Sequence, residues 1–487
     1  MKGKRWMLLG LVLVAMLTLV ACARGDFPAW LVQPRQVSSE AGSNDSDMPA
    51  IYTDNDGNVV VAWSSDPTGN PGGSDSEIYW RRYNAMGEPQ TPPVRLTNNS
   101  FGDYYPSIGM SGGVTYLVWM GDEITSSNIY WAAVDKEGNL TAGPEIISDL
   151  TYNDYDPHLI QCGNYSQVFW SGDSASYDYE IYYAKIRYNG LTDIPYKRVT
   201  YRLAPEQFPH GAVDQGCTRL FIAYESVYDY SPMDNDVYLV IINTDTGNLT
   251  SGPNMVASTG WNETDVNLAV TSSLADTLVS IVWTQDHVAF GEILYTSRDY
   301  DGVQCAPTTV LTSDSQRNAH PVVKNLQVGS NKDTLVAWER VQPGTGTDLD
   351  IYASFFADDC SPSPPTSPML ISESAASANA DDVYPQALIG LSPDGIPIFD
   401  VVWRTTSDGS VWSRFGNFAG PVGPSDLVSD NSSAGYSNDV ERPAAVTALG
   451  NQVYVTWVGN NLGTFETWYQ QTAWRSSMPV VFKSPLE

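Results

Sequence analysis

From residue 49 onward, short runs rich in Val, Ile, Tyr and Trp alternate with polar breaks of Gly, Asn, Asp, Ser and Pro. Run lengths of this kind, with turn-forming residues between them, predict β-strands rather than helices. The runs recur in a fixed order. A proline opens a first strand, a nearly all-apolar second strand ends in an aromatic residue, an acid followed by Ile-Tyr starts a third, and Leu-Thr or Ile-Ser closes a fourth. The clearest copy starts at Pro106, and the others start at Pro49, Pro157, Pro209, Asn267, Pro321, Pro385 and Pro443. The second strands end at Trp63, Trp119, Trp170, Tyr224, Trp283, Trp338, Trp403 and Trp457. In the first copy the predicted strands are 50–53, 59–63, 78–83 and 94–97.

A unit of about 50 to 60 residues with four strands is the size of a propeller blade, and it cannot bury its own two faces. The units must therefore stack around an axis, and the second strand, apolar on both sides, must be covered by both neighbouring blades. The expected fold is all-β: a single eight-bladed β-propeller of four-stranded antiparallel blades. The last copy has three strands and no fourth, whereas 35–38 carries a fourth-strand pattern with no earlier strands before it. Arg35 to Ser38 is thus expected to close the ring as the outer strand of the last blade. At fixed repeat positions the tryptophans are expected to pack blade on blade rather than to stack on sugars.

The chain ends carry a different signal. Lys2, Lys4 and Arg5 precede the apolar stretch Trp6 to Val20, and Leu19-Val20-Ala21-Cys22 follows. That stretch suits a cleaved export signal better than a membrane span. Leu-Val-Ala-Cys resembles the lipobox of bacterial lipoproteins, which implies a lipidated Cys22 as first mature residue. The expected organisation is a signal peptide over 1–21, a lipidated linker over 22–34, the propeller over 35–475 and a tail over 476–487. The expected location is the bacterial cell envelope, lipid-anchored at the outer surface of a membrane.

Charge narrows the partners. The formal net charge is −31, and loss of residues 1–21 with their three cations takes it to −34. Phosphate backbones are repelled by such a surface, so nucleic acid is excluded and cationic ligands are favoured. Four cysteines remain after lipidation, in two pairs each separated by 55 residues, close to one repeat. Export permits disulfides, and the expected bridges are Cys162 to Cys217 near the axis and Cys305 to Cys360 further out.

Acids recur at set places: Asp66, Asp122, Asp173 and Asp286 three residues after the strand-two aromatic, and Glu77, Glu180, Asp236, Glu292 and Asp350 at the start of strand three. A further set, Asp103, Asp154, Glu206 and Asp382, stands three residues before the proline. A carboxylate repeated in every blade ordinarily caps loop amides. The histidines break the symmetry. His158, His210 and His320 all lie at the start of innermost strands. The candidate binding site is accordingly the channel mouth, formed by Asp103, Asp154, His158, Glu206, His210, His320 and Asp382. His158 and His210 are the candidate ligands for a divalent cation.

Asp103-Tyr-Tyr-Pro106, the apolar second strand, acid-Ile-Tyr and Leu-Thr together resemble the TolB-like propeller repeat, over nearly all of the mature chain. Ser392-Pro393-Asp394-Gly395 matches that family's turn. The resemblance implies a propeller that often binds proteins in the envelope. It also implies a comparison with oligogalacturonate lyases, TolB-like propellers that place histidines and a metal at the mouth. Asp54-Asn55-Asp56-Gly57-Asn58 has a faint likeness to a sialidase Asp-box. No Gly-x-Ser-x-Gly elbow is present. The expected function is a monomeric binding or scaffold propeller for a protein, peptide or glycan. The competing expectation is a polysaccharide-active enzyme, a metal-assisted lyase or glycoside hydrolase, with its site at the mouth.

Overall fold

The aromatic that ends strand two and the tyrosine of acid-Ile-Tyr stand directly opposite each other in the ladder. Trp63 faces Tyr79, Trp119 faces Tyr130 and Trp170 faces Tyr182, with ring centroids 5.8 Å apart in each pair and planes within 18° of parallel. In blade four Tyr224 and Tyr238 do the same at 5.9 Å. Cross-strand aromatic pairs of this kind are the unit of sheet stabilisation. This ladder is the physical content of the repeated motif.

These relationships come from a computed structural model that describes residues 35–38 and 46–471, apart from a set of loop segments of which 373–380 and 430–443 are the longest. Residues 1–34, with Cys22, and 472–487 lie outside the described residues. Every element among the described residues is a strand, and the strands form eight antiparallel sheets. Blade one contains Ser46–Thr53, Val59–Ser65, Glu77–Tyr83 and Val94–Arg95 in that order, and blade two Gly102–Ser111, Val114–Asp122, Ser127–Val134 and Leu140–Ile146. Each innermost strand packs against that of the next blade, and the first strand of blade one contacts the last blade. Blade seven is widened, because Gly420–Pro421 and Asp426–Ser429 both pair with its third strand Val411–Asn417. The architecture is an eight-bladed β-propeller.

Strand two is the buried spine of each blade. Every residue of Val59–Ser65 is buried, and Trp63, Trp119, Trp170, Trp283, Trp338 and Trp403 are all at most 2 % exposed. The Ser/Thr of strand four locks onto strand three: the amides of Ile78, Ile181 and Ile293 donate to Thr97, Thr200 and Thr312 Oγ1 at 2.9 Å. In the last blade the outer strand is Arg35–Gln36, paired with Tyr469 and Trp468. Val37 and Ser38 take the place of Leu-Thr there, with the Val37 amide donating to the Thr467 carbonyl at 2.7 Å. Buried apolar side chain and hydroxyl acceptor both recur, since Val37 and Ser38 are buried.

Strand one departs from the predicted boundaries. It starts three or four residues before the proline, as in Ser46–Thr53 and Gly102–Ser111. The cause is a β-bulge in front of the proline, between Tyr104 and Ser107 in blade two. The residue at the bulge has a left-handed backbone in seven blades: Met48, Tyr105, Asp156, Phe208, Asp265, His320 and Tyr384, with φ from 50° to 55°. Non-glycine residues rarely adopt that conformation. The bulge also corrects the fifth repeat: Asp265 is its left-handed residue, so Val266 and not Asn267 occupies the proline position.

The hairpin turns explain the Asp-box likeness. Asp54 Oδ1 accepts the amides of Asp56 and Asn58 at 3.0 and 2.8 Å, closing the turn between strands one and two. Asp135 and Asp299 close their turns in the same way. The carboxylate caps a turn, as Asp does elsewhere.

Candidate functional site

The bulges converge on the propeller axis, where they surround a cavity of about 1140 Å³ with walls from seven of the eight blades. Because a left-handed residue turns the chain sharply, six of the seven bulges present the side chain of that residue to this space. Tyr105, Asp156, Phe208, Asp265, His320 and Tyr384 all line it. His158 and His210, just beyond their own bulges, line it too, with ring centroids 5.7 Å apart. Thus the three histidines singled out in the sequence meet in one cavity.

The acids singled out with them do not. Asp103, Asp154, Glu206 and Asp382 are buried between blades, away from the cavity lining. Asp103 Oδ1 accepts the Trp119 indole N–H at 3.0 Å, and Asp154 Oδ1 that of Trp170 at 2.7 Å. Glu206 Oε1 accepts the Tyr224 hydroxyl at 3.2 Å, and Asp382 Oδ1 accepts Thr405 Oγ1 at 2.6 Å. In blade six Asn318 plays this part for Trp338 at 3.1 Å. The position three before the proline therefore anchors its own blade's strand two. A buried acceptor needs such a donor.

These anchors sit beside the acid that begins strand three of the preceding blade, and the crowding shows in their proton affinities. Burial, followed by the charge of Glu77, pushes Asp103 up to about 7 against the Thr97, Asn99 and Trp119 hydrogen bonds. Glu206 is pushed up to about 9, first by burial and then by its hydrogen bond to Glu180. Asp382, beside Asp350, rises to about 7 through burial. Glu77 and Glu180 are themselves held by Arg95 and Arg198 from strand four.

The expected metal site at His158 and His210 is not formed. Among the described residues no group of three or more His, Cys, Asp or Glu side chains is arranged to hold a metal ion. The physical reason is the inward turn of Asp154 and Glu206 onto Trp170 and Tyr224. His158 instead stacks on Phe169 with centroids 5.2 Å apart, its Nε2 3.6 Å from Asp156.

A polar cluster that the repeat motif does not reveal lines the wall on blades four to six. The residue directly after the strand-two aromatic reaches into the next blade's bulge. In blade one Ser64 Oγ donates to the Asp103 carbonyl at 2.6 Å. In blades four and six this residue is Glu225 or Glu339. The Glu225 carboxylate accepts the backbone N–H groups of Asp265 and Val266, and Glu339 Oε1 that of Tyr384 at 2.6 Å. Asp265 Oδ2 accepts Thr284 Oγ1 at 3.1 Å and the His320 amide at 3.3 Å. The His320 ring stands between two acids, with Nδ1 3.0 Å from Glu339 Oε2 and Nε2 3.8 Å from Asp265 Oδ1.

Burial lowers the proton affinity of His320, but the hydrogen bond and charge of Glu339 and the charge of Asp265 outweigh it and leave it raised. Glu225 is pushed up to about 8, by burial first and then by Asp265. Its proton is thus held more tightly than that of an ordinary carboxyl group, beside a second carboxyl group. A comparison of repeats at this one position exposes the signal: Ser64, Met120, Ser171, Glu225, Thr284, Glu339 and Arg404, with an acid only in blades four and six.

The bridges join Cys162 to Cys217, with Cα atoms 5.9 Å apart, and Cys305 to Cys360, at 4.5 Å.

No protein-family model and no curated protein matches the chain. Among solved structures it is similar to the polysaccharide lyase Uly1, at 9 % identity and a TM-score of 0.46 over 92 % of each chain. It is also similar to an α-L-arabinanase of Penicillium chrysogenum, at 12 % identity and a TM-score of 0.40 over 67 % of this chain and 98 % of that one. A third likeness is to a neuraminidase-like protein from A/bat/Guatemala/164/2009, at 9 % identity and a TM-score of 0.38 over 69 % of this chain and 94 % of that one. The propeller assignment stands on the strand order itself.

Proposed function

We propose that this chain is an exported, lipid-anchored envelope propeller that takes a saccharide chain into its axial cavity. The TolB-like repeat pattern and the lipobox around Cys22 support the envelope location. The observation that carries the saccharide reading is the lining of the cavity, where Tyr105, Tyr155, Tyr179, Phe208 and Tyr384 stand among Asp156, Glu225, Asp265 and three histidines. Aromatic faces with a few convergent polar groups suit a ring that is apolar on its faces and hydroxylated at its edges. A concave basin of this volume fits a chain of sugars better than a flat protein surface. Phe208 is 54 % exposed, so its ring is held open at the wall rather than used in the core.

Affinity electrophoresis against a panel of polysaccharides, followed by calorimetry with the oligosaccharide that binds, tests this. Replacing Phe208 and Tyr384 by Ala should weaken binding about tenfold or more each, a loss of about 1.4 kcal/mol, with the melting temperature held. Absence of binding across neutral, basic and acidic glycans would overturn the reading.

Cleavage of the bound glycan is favoured by one specific observation, the Glu225 carboxyl group beside Asp265 in the cavity lining, its proton affinity raised by burial and by Asp265. Such a pair supplies the general acid and the carboxylate that glycoside hydrolysis requires. Release of reducing ends by the native protein, lost in Glu225→Gln while binding persists, is the expected result. Binding without release would leave a glycan receptor.

A further inference from the structure

The ionisable side chains of the cavity wall are unevenly chosen. Asp156 and Asp265 line it beside the carboxyl group of Glu225, and among the described lining residues there is no Lys or Arg. The His320 ring is flanked by two carboxyl groups, Asp265 and Glu339, with no Lys or Arg among the described lining residues to balance them. Asp156 stands two blades from Asp265, on blade three, beside His158. Acid therefore faces the cavity from blades three and five, and the whole chain adds a formal charge of −31 behind it.

Aromatic rings lie between these acids. Tyr155 and Tyr179 form a tilted pair with centroids 5.8 Å apart near Asp156, and Tyr384 sits 4.9 Å from the His320 ring. The negative face of an aromatic ring attracts an ammonium group as well as stacking on a sugar ring. Carboxylate and aromatic groups thus select in the same direction, toward a cation, and a uronate or sulfated chain would meet repulsion from both.

We propose that the ligand of this cavity is an oligosaccharide with free amino groups, its ammonium groups held by Asp156 on blade three and Asp265 on blade five while its rings lie on Phe208 and Tyr384. This assignment rests on the saccharide reading of the cavity and narrows it to basic amino-sugar chains. The net negative charge of the chain draws such a ligand in from solution, and the aromatic walls distinguish it from a simple polycation.

Calorimetry with three tetrasaccharides, a glucosamine tetramer, its fully N-acetylated counterpart and a galacturonate tetramer, tests the assignment. In low salt the glucosamine tetramer should bind at least tenfold tighter than the acetylated one, with the galacturonate weakest. The advantage should shrink toward unity in about 0.5 M salt, where charges are screened over a few ångströms. In Asp156→Asn/Asp265→Asn the ratio of affinities for the glucosamine and acetylated tetramers should fall to within about twofold. The salt titration of the native protein tests the same point without any variant. Equal binding of the acetylated tetramer, or tighter binding of the galacturonate, would overturn the amino-sugar assignment and leave the saccharide reading standing. Binding of none of the three, with oligolysine bound equally by the native protein and Phe208→Ala, would overturn both and point to a basic peptide.

Discussion

Ser38 Oγ accepts the backbone N–H of Thr467 at 3.1 Å, a bond between residues 429 positions apart in the chain. It is the same bond that Thr97 makes to Ile78 within blade one, at 2.9 Å. The last blade thus obtains its missing fourth-strand lock from the start of the chain, and Val37 supplies the buried apolar side chain that goes with it.

This closure is testable by truncation. Removing residues 23–38 from the mature chain should lower stability by about 2 to 4 kcal/mol, the scale of one buried Val plus two lost buried hydrogen bonds. The exposed sheet edge should also promote self-association. Val37→Asp should reproduce much of the loss. An unchanged denaturation midpoint for both proteins would refute the role given to this strand.

The bond from Trp119 to Asp103 predicts a second effect. Trp119→Phe removes the indole donor and leaves a buried carboxyl group without it, a cost of about 1 to 3 kcal/mol. Because the two groups act together, Trp119→Phe and Asp103→Ala should be non-additive by about 1 kcal/mol in a double-mutant cycle. Simple additivity would show that the pair is not coupled.

The interblade carboxyl groups make stability fall as pH rises. In the unfolded chain such groups titrate near 4, whereas folded Asp103 and Asp382 are pushed up to about 7 and Glu206 to about 9. A raised folded value means that the folded state holds the proton more tightly. The stabilisation is therefore complete below about 4 and is lost progressively as pH climbs through 7 to 9. Thermal melts at pH 5 and pH 9 should differ, with the acidic midpoint higher. Glu206→Gln should flatten the alkaline part of that slope and leave the pH 5 midpoint nearly unchanged. Asn318 already serves as a neutral group at the matching place in blade six.

The two bridges each span 55 residues and tie neighbouring blades, three to four and five to six. A loop of that length predicts a chain-entropy effect of about 4 kcal/mol for each bridge. Peptide mapping without reductant should recover both pairs, and Cys162→Ala/Cys217→Ala should lower the denaturation midpoint. A crossed pairing of Cys162 with Cys305 would contradict the blade order.

The order of strands, the number of blades and the need for an outer strand at 35–38 were all legible in the residues. Each follows from local rules: β-branched and aromatic runs, turn residues between them, and a repeat too small to bury its own faces. The strand-two tryptophans were likewise legible as packing residues, because a side chain repeated in every blade answers to a need of every blade. The convergence of His158, His210 and His320 could be anticipated from their shared place at the start of innermost strands.

The cavity wall depended on the bulge. A left-handed residue before the proline position turns Asp156, Asp265 and His320 toward the axis and leaves Asp103, Asp154 and Glu206 facing inward onto strand two. Two acids only two residues apart, Asp154 and Asp156, consequently serve opposite purposes. Nothing in their spacing says which is which, since a bulge reverses the alternation that a regular strand would impose. The contact of Glu225 with Asp265, and of Asp265 with His320, crosses from one blade to the next. Repeat patterns describe one blade at a time, so only the packing of neighbouring blades could bring these groups together.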